Sequence, residues 1–127
     1  MDLPGDEAGN TQGLLKNASS TLGVSIHFNL EQLPCFTLWK NTDSLKQGYV
    51  TGLEPGTNFP NPRSYEDRQG PVVQLNPGGS REFIVRLAFH LNAASVLGAE
   101  HKISQYQTTR KPLIHSTVQA GWSIEAG

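Results

Sequence analysis

The stretch LGVSIHFNL, residues 22–30, decides the fold. Its apolar residues occupy every second position from Leu22 to Leu30. Alternate residues of an extended chain point to the same side, so this spacing predicts a β-strand with one apolar face. A second segment repeats the pattern, with apolar side chains at Phe83, Val85, Leu87, Phe89 and Leu91. We predict a second strand there, with its apolar face largely buried.

Shorter β-type runs surround these two strands. Residues 35–39 and 49–54 are rich in aromatic and β-branched side chains, and each run is followed by turn-forming residues. Residues 72–75, followed by Asn-Pro-Gly-Gly, predict a further strand and turn. Residues 1–20 contain several Gly and Asn residues, which indicates a lead-in loop or a short strand.

The chain of 127 residues has 36% hydrophobic and 17% charged residues, with 13 Gly and 8 Pro. That composition favours one turn-rich β domain over residues 1–127, with a core at about 20–107 and a tail at 108–127. Apolar residues from Ala93 to Tyr106 approach helical spacing, which predicts a short helix near the C-terminus even though Gly98 costs about 1 kcal/mol relative to Ala. The fold expected is a mainly β, antiparallel β-sandwich.

The charge balance, the lengths of the apolar runs and the single cysteine limit the partners and the compartment that we expect. Ten Lys and Arg against eleven Asp and Glu give a formal charge of −1, without the basic excess that nucleic-acid binding requires. No apolar run approaches the roughly 18–20 residues of a membrane span, and the acidic start differs from a signal peptide. The single Cys35 fits a reducing compartment. We therefore expect a cytoplasmic protein with no nucleic-acid or membrane partner.

Glu54 is the most suggestive acid in the sequence. It ends a predicted strand directly before Pro55, at the start of a proline-rich segment over residues 55–71 that is long enough to be functional. A carboxylate fixed at a strand end suits a general base. Alternatively, Glu54 accepts hydrogen bonds from backbone amides of its own turn, and local sequence favours this alternative. Trp39 likewise suits either sugar stacking beside Lys40 or a core position, and the pattern alone favours the core.

Other reactive residues lack the spacing of known sites. The histidines, at positions 27, 90, 101 and 115, do not follow metal-ligand spacing, and no phosphate-binding glycine loop is present. His27 and His90 alternate with the apolar positions of their strands, so we expect them on the second face of the sheet. Cys35 has no basic neighbour in sequence, so a structural thiol is expected.

Three segments carry a family resemblance: LPCFTLWKN at 33–41, YVTGLEPGTN at 49–58 and NPR at 61–63. They are similar to the C-terminal part of the aldose 1-epimerase-like proteins of the galactose mutarotase superfamily, a group often catalogued only as a domain of unknown function. The similarity continues through residues 69–91 and covers most of residues 20–107. It implies the C-terminal part of a β-supersandwich.

The resemblance also implies an activity, the interconversion of sugar anomers by acid and base catalysis, without metal or organic cofactor. Glu54 matches the family's general base, which takes a proton from the anomeric hydroxyl while a His elsewhere protonates the ring oxygen. The family's Thr and Gln after this Glu are replaced by Pro55 and Gly56. By the same resemblance a monosaccharide would be bound by Trp39, Lys40, Thr57, Asn58 and Arg63.

Two alternatives stay open beside this epimerase-like reading. The family's catalytic His and a sugar-binding Arg lie in an N-terminal half that this sequence does not match. The first alternative is therefore a non-catalytic carbohydrate-binding domain. The second is an interaction domain that forms homo-oligomers through open sheet edges.

Overall fold

The computed structural model describes residues 3–70 and 72–124, and over these residues the protein is mainly β. The antiparallel sheets and the helix near the C-terminus confirm the predicted fold class. No helix among the residues described is long and apolar enough to span a membrane. The elements in chain order are β1 (Asn10–Lys16), β2 (Gly23–Asn29), β3 (Cys35–Lys40), a 3-10 turn (Leu45–Gln47), β4 (Thr51–Gly56), α1 (Arg63–Gln69), β5 (Arg86–His90) and α2 (Ala93–Thr109).

The chain divides into two compact units. The first unit contains Met1–Gln32 and Glu82–Ser116, and the second contains Leu33–Arg81 and Thr117–Gly127. Three antiparallel strands in the order β1, β2, β5 form the sheet of the first unit. In its register, His27 of β2 lies opposite Gln12 of β1 and Arg86 of β5. These three side chains therefore share one face of the sheet.

Helix α2 covers part of that face. The Gln12 side chain donates a 2.9 Å hydrogen bond from Nε2 to the carbonyl of Ala99, and Lys16 forms an ion pair with Glu100. Val96, in the second turn of α2, is fully buried. The helix begins at Asn92, whose side chain accepts a hydrogen bond from a backbone amide of the first turn, as an N-cap requires. The predicted helix is thus confirmed, and it extends to Thr109.

The opposite face of this sheet is buried only in part. Ile26 and Phe28 of β2 are buried, as their alternation predicts. The apolar face predicted for residues 83–91 is instead exposed, from 40% at Phe83 to 74% at Phe89 and 76% at Leu91. The expected burial is therefore wrong for this strand, because these side chains keep 40% or more of their surface accessible.

The second unit is built on the β3–β4 hairpin and the short helix α1. Helix α1 lies within the proline-rich segment, where Pro62 immediately precedes its first residue. The strand predicted at residues 72–75 is absent from the described positions 72–75, which pair with no neighbouring strand. Residues 117–124 return to this unit and contact α1, where Tyr65 donates a hydrogen bond to the carbonyl of Ser123.

Candidate functional site

One face of the β3–β4 hairpin carries the candidate base and the candidate sugar platform. Trp39 lies opposite Gly52, and Thr37 lies opposite Glu54. Residues paired in this way share a face, so Trp39 and Glu54 are diagonal neighbours, a spacing that long and aromatic side chains can bridge. Glu54 is exposed and Trp39 is 49% exposed. Both side chains are therefore accessible to a ligand from the same side.

Gly52 sets the position of the Glu54 carboxylate. A Cβ atom built on Gly52 would overlap Oε1 of Glu54 and would lie 3.1 Å from its Cδ. The carboxylate thus lies directly over Gly52, which is the residue opposite Trp39. Glycine at this position leaves space that any side chain would fill, and it lets the carboxylate turn toward the indole.

The same face ends at an open cleft of about 350 Å³. Cys35 lies on this face opposite Gly56, and it lines the cleft together with the predicted sugar-site residues Thr57 and Asn58. The Thr57 hydroxyl donates a 3.0 Å hydrogen bond to Oδ1 of Asn58. That bond fixes the amide, so its NH₂ group is the part left for donation. The other lining residues are Phe59, Glu66, Gln69, Gly70, Ala120, Gly121 and Trp122.

Two predicted site residues lie elsewhere. Lys40 follows Trp39 directly, so its side chain projects from the opposite face of β3. Arg63 is exposed at the first position of α1 and does not line the cleft. The structure therefore groups Glu54 with Trp39 on one face, places Thr57 and Asn58 at its end, and separates Lys40 and Arg63 from both.

Glu66 is a cleft residue that sequence analysis did not single out. Its side chain is 7% exposed, and its two carboxylate oxygens accept hydrogen bonds from the Phe59 amide at 3.2 Å and from Nδ2 of Asn61 at 2.7 Å. The same Nδ2 also donates to the carbonyl of Trp122 at 3.0 Å. Glu66 thus joins α1 to the wall that residues 120–122 form. The burial of Glu66 depends on residues 120–122 packing against α1, and a contact between such distant segments gives no periodic pattern in the sequence.

The Cys35 thiol stays protonated at neutral pH. Burial raises its pKa, and the nearby Glu66 carboxylate raises it further. A nucleophilic role needs the thiolate, which such surroundings disfavour. This agrees with the structural role expected from the sequence. Among the described residues, no group of three or more His, Cys, Asp or Glu side chains is arranged to hold a metal ion.

A second polar cluster lies on the first unit's sheet, around the fully buried Ser25. Its Oγ atom lies 2.9 Å from Nε2 of His27 and 2.9 Å from Nε2 of His90. Both imidazoles are partly exposed, on the second face of the sheet, as expected. The pKa of His27 is lowered, first by burial and then by the positive charge of Arg86 and by His90. Sequence analysis missed Ser25 because serine in a strand gives no signal of its own.

Comparison with known proteins relates this geometry to one family. The family model described as "Domain of unknown function (DUF4432)" matches residues 1–89. A crystal structure described as a "putative aldose 1-epimerase" from Klebsiella pneumoniae subsp. pneumoniae is 40% identical to this chain, with a TM-score of 0.83. The match covers 91% of this chain and 30% of that chain, so the present chain spans about a third of the length of that protein. No curated protein matches the sequence.

Proposed function

Because the chain belongs to the DUF4432 family, with an aldose 1-epimerase-like fold, we propose that it binds a monosaccharide and that Glu54 acts as general base in anomer interconversion. The observation that carries this proposal is the shared face of the β3–β4 hairpin, where the Glu54 carboxylate lies over Gly52 beside the exposed Trp39.

Trp39 and the cleft residues give the face the features of a sugar site. A half-exposed indole offers an apolar surface on which the C–H face of a pyranose can stack. At the end of the same face, the Asn58 amide supplies a donor for a sugar hydroxyl. Stacking fixes the plane of the ring, and polar contacts at one edge fix its rotation in that plane. This proposal assigns no sugar contact to Lys40, which lies on the other face.

The chemistry follows from where the carboxylate lies. Glu54 takes the proton of the anomeric hydroxyl, and the electron pair of that O–H bond forms the carbonyl as the bond from C1 to the ring oxygen breaks. The ring oxygen receives a proton from a general acid. Rotation about the C1–C2 bond and reclosure on the other carbonyl face give the opposite anomer. We propose that the acid comes from the remainder of an epimerase fold, since the chain spans 30% of the solved relative.

Mutarotation of fresh α-glucose and α-galactose, followed by polarimetry, tests the base. We expect Glu54→Gln to lose any acceleration over buffer and to retain sugar binding, because the amide keeps the shape but accepts no proton. Glu31→Gln, an exposed change in the first unit, is the matched control. Equal rates for wild type and Glu54→Gln would remove Glu54 from catalysis.

Sugar binding is tested separately by saturation-transfer NMR with wild type and Trp39→Ala. Loss of the signal in the variant is expected if the indole is the stacking surface. Binding by the wild type without acceleration of mutarotation would favour the non-catalytic carbohydrate-binding alternative, which the 30% coverage of the relative also favours. Absence of binding to any sugar in a panel would overturn both functions.

A further inference from the structure

The first unit contains a second cleft, of about 360 Å³, at the end of its sheet. It lies where β1 begins, β2 ends and β5 begins. The polar side chains that line it are Asn10, His27, Asn29, Gln32 and Arg86. The sugar-site residues of the proposed function all belong to the second unit, so this cleft is a separate feature.

A cationic pair forms one wall of this cleft. His27 and Arg86 lie directly opposite each other in the β2–β5 ladder, on one face of the sheet. Among the residues that the structure describes, Arg86 forms no ion pair with a carboxylate. Its guanidinium offers five N–H donors in a fork that matches a planar or tetrahedral oxyanion. Burial first, and then the positive charge of Arg86, lower the pKa of its neighbour His27.

Gln32 and the protonated form of His27 offer N–H groups to a ligand in the cleft. Ser25 engages Nε2 of His27, which fixes the ring and leaves its other nitrogen for a ligand. The Gln32 side chain accepts a 3.2 Å hydrogen bond from the Ile84 amide through Oε1, so its NH₂ group is the free end. The amides of Asn29 and Asn10 bond to each other at 3.1 Å and form part of the rim. Together with the guanidinium of Arg86, these N–H groups suit an anionic oxygen ligand.

The Asp6 carboxylate lies at this rim, where it accepts a 3.3 Å hydrogen bond from Nδ2 of Asn10. Asp6 accepts hydrogen bonds from the amides of Ala8 at 3.1 Å and Asn10 at 2.8 Å, and Lys102 of α2 also acts on it. Facing His27 itself are Arg86 and His90 from β5 and the uncharged Gln12 from β1. On α2, Tyr106 is close enough to Arg86 for the positive charge of Arg86 to act on its pKa. The groups whose positive charge acts on His27 are thus Arg86 and His90, whereas the Asp6 carboxylate is hydrogen-bonded within its own turn.

We propose that this cleft binds a small oxyanion of the phosphate type, held by the guanidinium of Arg86 and by the imidazole of His27. Binding is coupled to protonation of His27. A bound anion offsets the charge of Arg86, so it removes one of the causes that depress the pKa of His27. By linkage, affinity for the anion rises as pH falls toward and below 6.5, where the imidazole takes up its proton.

Titration with inorganic phosphate at constant ionic strength, followed by ¹H–¹³C correlation spectra of the four histidines, tests the site. We expect the His27 signals to shift saturably, with tighter binding at pH 5.5 than at pH 8. Arg86→Gln should weaken binding at least tenfold, which corresponds to about 1.4 kcal/mol, because the variant loses a charge-assisted hydrogen bond to the anion. Lys46→Gln removes the same charge from an exposed position of the second unit and should leave affinity unchanged.

The remaining measurements distinguish binding at this specific site from general attraction of phosphate to positive charge. Arg86 is exposed, so the variant is expected to fold, and overlay of its backbone amide spectrum with that of wild type checks this. Equal weakening by Arg86→Gln and Lys46→Gln would overturn the proposal, because it would show an effect of net charge alone. Absence of any saturable His27 shift up to 50-fold molar excess of phosphate in wild type, or shifts equal at His27 and His101, would overturn it too. Neither result bears on Glu54, whose activity is measured separately.

Discussion

Ser25→Ala removes the hydroxyl that joins two histidines across the first unit's sheet. Ser25 is fully buried, and Oγ lies 2.9 Å from Nε2 of both His27 and His90. Each hydrogen bond contributes about 0.5–1.5 kcal/mol net, so losing both predicts a cost of about 2 kcal/mol in the free energy of unfolding. Two bonds at the upper end of this range would cost about 3 kcal/mol. Both imidazoles are partly exposed and regain some hydrogen bonding from water, which keeps the expected cost below that limit.

Urea unfolding followed by far-UV circular dichroism measures this cost. Helix α2, with 17 residues, dominates the helical signal and lies in the first unit. Both tryptophans, Trp39 and Trp122, lie in the second unit and give a separate fluorescence reading. Ser95→Ala is the matched control, since it deletes one exposed hydroxyl bond and should cost no more than about 0.5 kcal/mol. A Ser25→Ala cost equal to that of the control would refute the reasoning.

The pH profile provides a second check on the same cluster. Burial, Arg86 and His90 lower the pKa of folded His27 below 6.5, so the unfolded chain binds more protons over that window. The corresponding stability is fully present above pH 6.5 and is lost as pH falls toward the folded pKa. Ser25 is not a cause of the shift, so Ser25→Ala should keep the slope, whereas Arg86→Gln should reduce it. A flat wild-type profile between pH 5 and 7.5 would contradict this assignment.

Three further outcomes follow from packing and exposure. Val96→Ala should cost about 2 kcal/mol in thermal or urea unfolding, because Val96 is fully buried and its truncation leaves a cavity. Gly52→Ala should displace the Glu54 carboxylate and abolish Glu54-dependent mutarotation with the hairpin intact, as judged by polarimetry beside backbone amide shifts. Phe89→Ser should leave stability within about 0.5 kcal/mol and reduce self-association in sedimentation velocity, because the ring is 74% exposed.

The sequence alone could predict strands with alternating apolar side chains. It could not predict strands whose extended form depends on pairing with a neighbouring strand. Strand β2 was predictable because Ile26 and Phe28 share the buried face that their spacing requires. Strand β1 has the sequence NTQGLLK, without alternation, and its extended form depends on seven pairs with β2. Residues 72–75 show the reverse case. Their composition favours a strand, but without a partner strand an isolated extended segment forms no ladder.

Single residues of the candidate site, such as Trp39 and Glu54, could be named from the sequence, but their arrangement could not. Alternate residues of a strand lie on the same face, so the sequence alone predicts that Trp39 and Cys35 share one face of β3. The pairing of Thr37 with Glu54, which brings the carboxylate to the indole's face, depends on the register of the hairpin. The burial of Glu66 could not be predicted from local sequence at all, because residues 117–124 complete the wall that buries it.

The exposed apolar side chains of residues 83–91 show how much an alternating pattern can predict about burial. Alternation at Phe83, Leu87 and Leu91 specifies which face of a strand is to be buried, but it does not specify the layer that buries it. The match to the solved relative covers 30% of that chain at 40% identity. Leu87, Phe89 and Leu91 are exposed, and β5 is an edge strand of the sheet that the structure describes, which favours association with another surface. We therefore propose that the chain forms homo-oligomers through this edge when no other polypeptide covers it, and the sedimentation of Phe89→Ser against wild type tests this directly.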